Sequence, residues 1–171
     1  ITQQYARAAA DLSGMTYARK VREAVMASKL NSEYSKAQIL EFYLNIIYLG
    51  RGANGIQAAS RAYFDKSVDQ LTAAEAAVLA ALIKQPESSA THKGYDPAVN
   101  PEAAKERWGY VLDGMVEMGS ISAEERAKIQ YPNVLKQAKN KCITEATCGV
   151  DTPVGNVVNY VNAELAAMGI H

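Results

Sequence analysis

No run of 18 or more apolar residues occurs anywhere in the 171-residue sequence, so no segment reads as an α-helix able to cross the hydrocarbon core of a bilayer. A charge imbalance is missing too. Eighteen basic residues balance eighteen acidic ones, which removes the global field that would draw nucleic acid or an acidic membrane and leaves any anion site to be local. Nucleic acid is therefore not an expected partner. No alternating apolar and polar run of any length is present, and with it goes the signal for half-buried strands. Cysteine is limited to Cys142 and Cys148. They lack C-x-x-C spacing and clustered histidines, so they make a poor zinc site; a small disulfide loop and two free thiols both stay open. An initiating methionine and a secretory signal are also missing, and the chain opens on a polar motif at Ile1, which reads as a segment of something longer.

What is there is helical. At 49% apolar residues the chain suits one globular domain with a sizeable core and an appended element. Ser35 with Gln38, Thr72 with Glu75 and Ser122 with Glu125 each fit a capping box, and Asn100 and Thr152 stand ahead of Pro101 and Pro153 at two further helix starts. From Lys36 to Leu49 apolar residues cover most of a helical circumference, which predicts a centrally buried helix. The Ala73 to Ile83 segment has the same character and is expected to pack closely against it. On such a helix Lys36 and Asn45 would be mainly structural. Residues 87–100 read as a surface loop, and Trp108, Val111, Leu112 and Met115 mark an amphipathic helix ending near Gly119. Composition changes after Tyr131. The last helix presents Val154, Val157, Val158, Val161, Leu165 and Met168 on one face before Gly169.

Two stretches carry chemistry. Gly50, Gly52 and Gly55 bracket Arg51 in a segment too short to be a linker, so the backbone there turns tightly before a helix with Ile56, Ala59, Ser60 and Tyr63 on one side. Earlier, Arg19, Lys20 and Glu23 fall within an arc of about 100° on one helix. An ordinary solvated face with an i, i+4 ion pair accounts for them; an anion clamp with a carboxylate beside it, suited to a pyrophosphate, accounts for them as well. Thr2, Gln3, Gln4 and Arg7 add amides and a guanidinium on the first turns.

Taken in order these pieces resemble one family, the peptidoglycan glycosyltransferase domain of class A penicillin-binding proteins. Ile1 to Gln4 look like the end of its S-T-I-T-Q-Q motif, and Arg19, Lys20 and Glu23 match R-K-x-x-E. Lys36, Ile39, Leu40, Tyr43, Leu44 and Asn45 match K-x-x-I-L-x-x-Y-L-N. Arg51 to Phe64 match R-G-x-x-G-I-x-x-A-A-x-x-Y-F at every specified position but one. A looser likeness runs on through Leu71, Thr72, Glu75, Pro86, Arg107 and Met115.

The resemblance implies an all-α, lysozyme-like domain over residues 1–131, with 132–171 a linker and final helix leading toward a transpeptidase domain. It implies polymerisation of lipid II into β-1,4 glycan strands by inverting transfer, with a lipid pyrophosphate leaving. It places the protein at the extracytoplasmic face of the cell membrane, as a target of moenomycin-type inhibitors. Its implied partners are lipid II, the growing glycan chain, the outer face of the membrane and cell-wall synthesis and division proteins. Glu23 would be a catalytic carboxylate; Gln4, Arg7, Arg19, Lys20 and Arg51 would bind substrate; and Glu23 would either orient those cations or share a divalent cation, Mg or Mn, with the pyrophosphate.

Four departures qualify it. The family's first motif, E-D-x-x-F-x-x-H-x-G, does not occur, and it carries the base that takes the acceptor's proton. General base catalysis contributes on the order of 10²- to 10⁴-fold, so this segment alone is expected to be catalytically crippled. Arg7 replaces a lysine and keeps the charge, Met15 replaces an arginine common in the family, and Ser60 replaces an alanine but stays small. A non-catalytic module that binds lipid-linked saccharide, or a scaffold in wall synthesis, is the alternative. A lytic muramidase fits worst, because the cations beside Glu23 lower its pKa, the wrong direction for a general acid.

Overall fold

The computed structural model describes residues 1–10 and 16–136, with Glu164 and Met168 beyond them. Met15, Cys142, Cys148 and most of the helix expected after Pro153 lie outside the described residues. Seven α-helices are described: α1 (Thr2–Ala9), α2 (Tyr17–Glu33), α3 (Lys36–Ile46), α4 (Ile56–Phe64), α5 (Ala73–Leu82), α6 (Pro101–Glu117) and α7 (Ala123–Lys128). A 3-10 turn spans Val68–Gln70. The described residues form no strand, only an isolated bridge between Tyr48 and Asn54. The all-α expectation is met.

The helix starts follow the capping chemistry read in the sequence. Ser35, Thr72 and Ser122 accept from the backbone N–H three residues on, while Gln38, Glu75 and Glu125 close the box on the cap's own N–H. Thr16 caps α2 in the simpler way, accepting from the Arg19 N–H at 3.2 Å. Asn100 precedes Pro101 as expected, but its amide donates to the Gly94 carbonyl instead of capping α6. Each side-chain cap contributes about 1 kcal/mol.

α4, α5 and α6 make the core. Tyr63, Leu79, Leu82, Trp108 and Leu112 pack there with Leu49 from the preceding loop, each fully buried aliphatic side chain contributing about 1.5–3 kcal/mol. Residues after α7 join them. Tyr131 meets the Trp108 ring edge-on at 5.1 Å, and the Leu135 N–H donates to the Tyr63 carbonyl at 2.9 Å. The compact unit thus runs to Lys136, beyond the break expected after Tyr131.

α1, α2 and α3 pack on one another, with Tyr5 and Tyr34 against Phe42, and α3 reaches α4. Here the structure corrects the sequence reading. α3 buries only Ile39 and Tyr43, while Leu40 stays 40% and Ile46 38% exposed. α5 packs on α4 and α6 and not on α3; the two helices instead face each other across a cleft of about 450 Å³. Lys36 and Asn45 are exposed, so the fully apolar surroundings expected for them do not exist.

Candidate functional site

The loop before α4 sets the geometry of the domain's middle. Gly50, Gly52 and Gly55 have φ of 84°, 72° and 83°, and Arg51 between them has φ of 55°. The Leu49 N–H donates to the Ala53 carbonyl and the Gly55 N–H to the Ile47 carbonyl, folding the loop back onto the end of α3. A Cβ on Gly55 would sit 2.5 Å from the Asn45 carbonyl oxygen. Only glycine allows that approach.

Arg51 itself is not placed to meet a substrate, which corrects the expectation for it. Its side chain is 4% exposed. Nε and Nη2 donate to the two Asp96 carboxylate oxygens at 2.8 and 2.7 Å, and Nη1 donates to the Ala62 and Leu135 carbonyls. The guanidinium also lies 4.0 Å from the Tyr63 ring centroid. These bonds tie the loop to α4, to the 94–100 turn and to the segment after α7. Arginine in a glycine-rich turn reads as an anion site, but this one is a buried tie.

Of the other expected residues, Arg7, Arg19, Lys20 and Glu23 come together where α1 meets α2, while Gln4 turns to α3. Glu23 is 2% exposed. Its Oε1 accepts from Arg19 Nη1 at 2.5 Å and its Oε2 from Lys20 Nζ at 3.1 Å. Lys20 Nζ also donates to Gln3 Oε1 at 3.0 Å, which joins the two helices. Gln4 accepts from the Tyr43 hydroxyl at 3.2 Å. Burial opposes ionisation of Glu23, but the Lys20 hydrogen bond and the charges of Arg19, Lys20 and Arg7 outweigh it and hold the carboxyl below its ordinary value. Glu23 is thus ionised at neutral pH. The Lys20 side chain is 61% exposed against 15% for Arg19, so of the two cations that hold the carboxylate Lys20 is the one open to solvent.

Gln4 also lines the cleft between α3 and α5. Leu40, Leu44 and Ile83 supply its apolar wall, and Lys84 and Arg107 stand at its edge. Arg107 lies 5.2 Å from the Tyr95 ring centroid and Lys84 6.0 Å. Among the described residues neither makes an ion pair. Sequence reasoning did not single out Lys84, which follows a buried helix with no motif around it. Tyr43, which fixes Gln4, was read only as part of a motif, and Gln3, which fixes Lys20, only as one of the amides on the first turns.

A divalent cation does not fit these residues unaided. Both Glu23 oxygens already accept from cations, and among the described residues no three histidine, cysteine or acidic side chains gather. Hard divalent cations take several oxygen ligands, more than Glu23 with both oxygens engaged offers.

With this geometry established, comparison with known proteins gives a consistent result. The family model described as Transglycosylase matches residues 1–116. Penicillin-binding protein 1A of Mycobacterium tuberculosis is 50% identical over 139 residues, covering 79% of this chain and 16% of that protein. Penicillin-binding protein 1F of Bacillus subtilis is 43% identical over 130 residues, covering 76% of this chain and 17% of that protein. The crystal structure of penicillin-binding protein 1A from Haemophilus influenzae matches with a TM-score of 0.52 at 37% identity, over 63% of this chain and 16% of that one. The chain spans 16–17% of the length of the curated relatives named here.

Proposed function

This chain belongs to the transglycosylase family, and on that premise we propose that it forms the anion-holding part of a site that polymerises lipid II into β-1,4 glycan strands at the extracytoplasmic face of the cell membrane. The observation that carries this reading is the ionised, buried Glu23 held by both Arg19 and Lys20, with the Lys20 side chain still 61% exposed. A surface ion pair would need no such burial. Two cations locked in place by one carboxylate are preorganised for a group whose negative charge grows as it leaves.

In the transfer, the bond from the donor's anomeric carbon to the pyrophosphate oxygen breaks as the acceptor's 4-hydroxyl oxygen bonds that carbon from the opposite face. Lys20 and Arg19, with Arg7 nearby, neutralise the departing pyrophosphate. Gln4, whose oxygen accepts from Tyr43, keeps its amide N–H for a ligand in the cleft it lines. The hydroxyl proton goes to a base from the first motif that this sequence does not contain. Glu23, ionised already, serves the cations and does not donate a proton. Two lipid-linked saccharides must meet in each cycle, and Lys84 with Arg107 gives the cleft that Gln4 lines cations of its own.

The reading is tested by titrating the 171-residue protein with undecaprenyl pyrophosphate in detergent micelles, followed by calorimetry. Lys20→Ala is expected to weaken binding by roughly 10- to 100-fold, the loss of one charge-assisted contact, whereas Lys36→Ala leaves it unchanged. Equal affinity for the unmodified protein, Lys20→Ala and Arg19→Ala would overturn it.

A further inference from the structure

We propose that Tyr95 is a positioning residue, its ring holding Lys84 and Arg107 together as a grip for one phosphate group at the edge of the cleft. The inference rests on the proposed function, which gives the cleft those two cations, and adds the group that sets them. The Arg107 guanidinium lies 5.2 Å and the Lys84 ammonium 6.0 Å from the Tyr95 ring centroid, within reach of the ring's negative face. Two cations gathered on one ring repel each other, and among the described residues no carboxylate pairs with either. The cleft lining supplies no acid. Arg107 Nε is buried without a hydrogen-bond partner, and a buried donor left unpaired carries a cost that a bound acceptor removes. Nε with a neighbouring Nη–H forms a fork matched to two oxygens of one group. Two unit cations balance a dianion, so a phosphate suits them better than a carboxylate.

Local backbone fixes the ring. The Tyr95 N–H donates to the Gln85 carbonyl at 2.9 Å, which closes the loop directly behind Lys84. Gly94 before it has φ of 77°, and a Cβ there would stand 2.7 Å from the Glu87 carbonyl. Asp96 after it is the buried partner of Arg51. The His92 ring packs on Tyr95 with 4.9 Å between centroids. Two long side chains held by nothing would lose rotamer freedom on gripping a ligand; held by a fixed ring, they have lost part of it already. Tyr110 adds a second ring for Arg107, at 5.5 Å, but none for Lys84. Of the two tyrosines only Tyr95 serves both cations.

Titration of the 171-residue protein with inorganic pyrophosphate, followed by calorimetry, tests it, with a circular dichroism melt for each variant. Tyr95→Phe keeps the ring and is expected to bind as the unmodified protein does. Tyr95→Leu is expected to bind at least about fivefold more weakly, since it loses two contacts worth roughly two- to fivefold each. Tyr110→Leu, which touches Arg107 alone, should weaken binding by less. When Lys84→Gln and Arg107→Gln are already present, Tyr95→Leu should change nothing further, which separates holding the cations from bracing the loop. In the unmodified protein the Arg107 Nε–H resonance should shift as pyrophosphate is added, a reading that needs no Tyr95 variant to fold. Three results would each overturn the proposal: equal affinity of the Tyr95→Leu and Tyr95→Phe proteins, a Tyr95→Leu loss that persists beside Lys84→Gln and Arg107→Gln, or an Arg107 resonance unmoved at the highest pyrophosphate concentration. None of them decides the titration with undecaprenyl pyrophosphate, where Lys20→Ala reads the clamp at α1 and α2.

Discussion

Asp96 and Glu23 are both buried carboxylates held by an arginine, yet their surroundings assign them different work. Around Asp96 both partners are closed off, with Arg51 4% and Asp96 7% exposed by side chain, and four donors of the guanidinium are spent on protein oxygens. Around Glu23 a second cation remains open to solvent. Asp96→Ala is therefore expected to cost about 3–5 kcal/mol, because it strands a buried guanidinium; urea titration followed by circular dichroism checks it. A loss below about 1 kcal/mol would mean that the tie is dispensable. The sequence could not show this pairing, since Arg51 and Asp96 are 45 residues apart, whereas Arg19, Lys20 and Glu23 share one helix face and were legible from spacing alone.

Among the elements, the helix starts were the most readable, because a capping box is local chemistry: Ser35, Thr72 and Ser122 act within three residues of themselves. The burial of α3 was not readable. Apolar residues around a whole circumference say that a helix has much to bury, not which neighbours are there to bury it, and α3 opens on the cleft at Leu40 and Leu44. The cationic edge of that cleft was hidden for the same reason, as Lys84 and Arg107 meet only through Tyr95. Local backbone demand was legible at the glycines. Gly55→Ala forces both an unfavourable φ of +83° and a 2.5 Å clash with the Asn45 carbonyl, while Gly52→Ala meets nothing within 4 Å and faces only its φ of +72°. Gly52→Ala is expected to cost about 1–2 kcal/mol and Gly55→Ala clearly more. Melting curves of the two variants check the order; equal losses would contradict the close approach.

At the scale of the molecule, carboxyls in three separate helices are held below their ordinary values. Glu75 is opposed by burial but bonded by Lys66 and the Thr72 backbone, and Glu125 is bonded by the Ser122 backbone N–H and hydroxyl. Glu23 is held by its cations despite burial. Their unfolded-state values are higher, so the unfolded chain binds more protons in acid and stability rises with pH across that window. The contribution is full above about pH 4.5 and is lost as pH falls through the lower folded values. The melting temperature should accordingly drop below about pH 4.5, with proton uptake on unfolding measured by calorimetry in buffers of different ionisation enthalpy. A drop centred near neutral pH would contradict this.

The same carboxylate that ties acid stability to α2 is the one on which the proposed reaction turns. Glycan-chain formation from labelled lipid II, in a longer enzyme containing both this segment and a first-motif glutamate, tests that link when Glu23→Gln is compared with the unmodified protein and a melting curve is run for each. The glutamine still accepts from Arg19 but no longer balances two cations. Polymerisation is predicted to fall at least about tenfold, equivalent to roughly 1.4 kcal/mol of transition-state stabilisation, while the melting curve still shows one cooperative, folded protein. A Glu23→Gln enzyme that polymerises lipid II at the unmodified rate would contradict the account and reduce Arg19, Lys20 and Glu23 to an ion pair that braces α2.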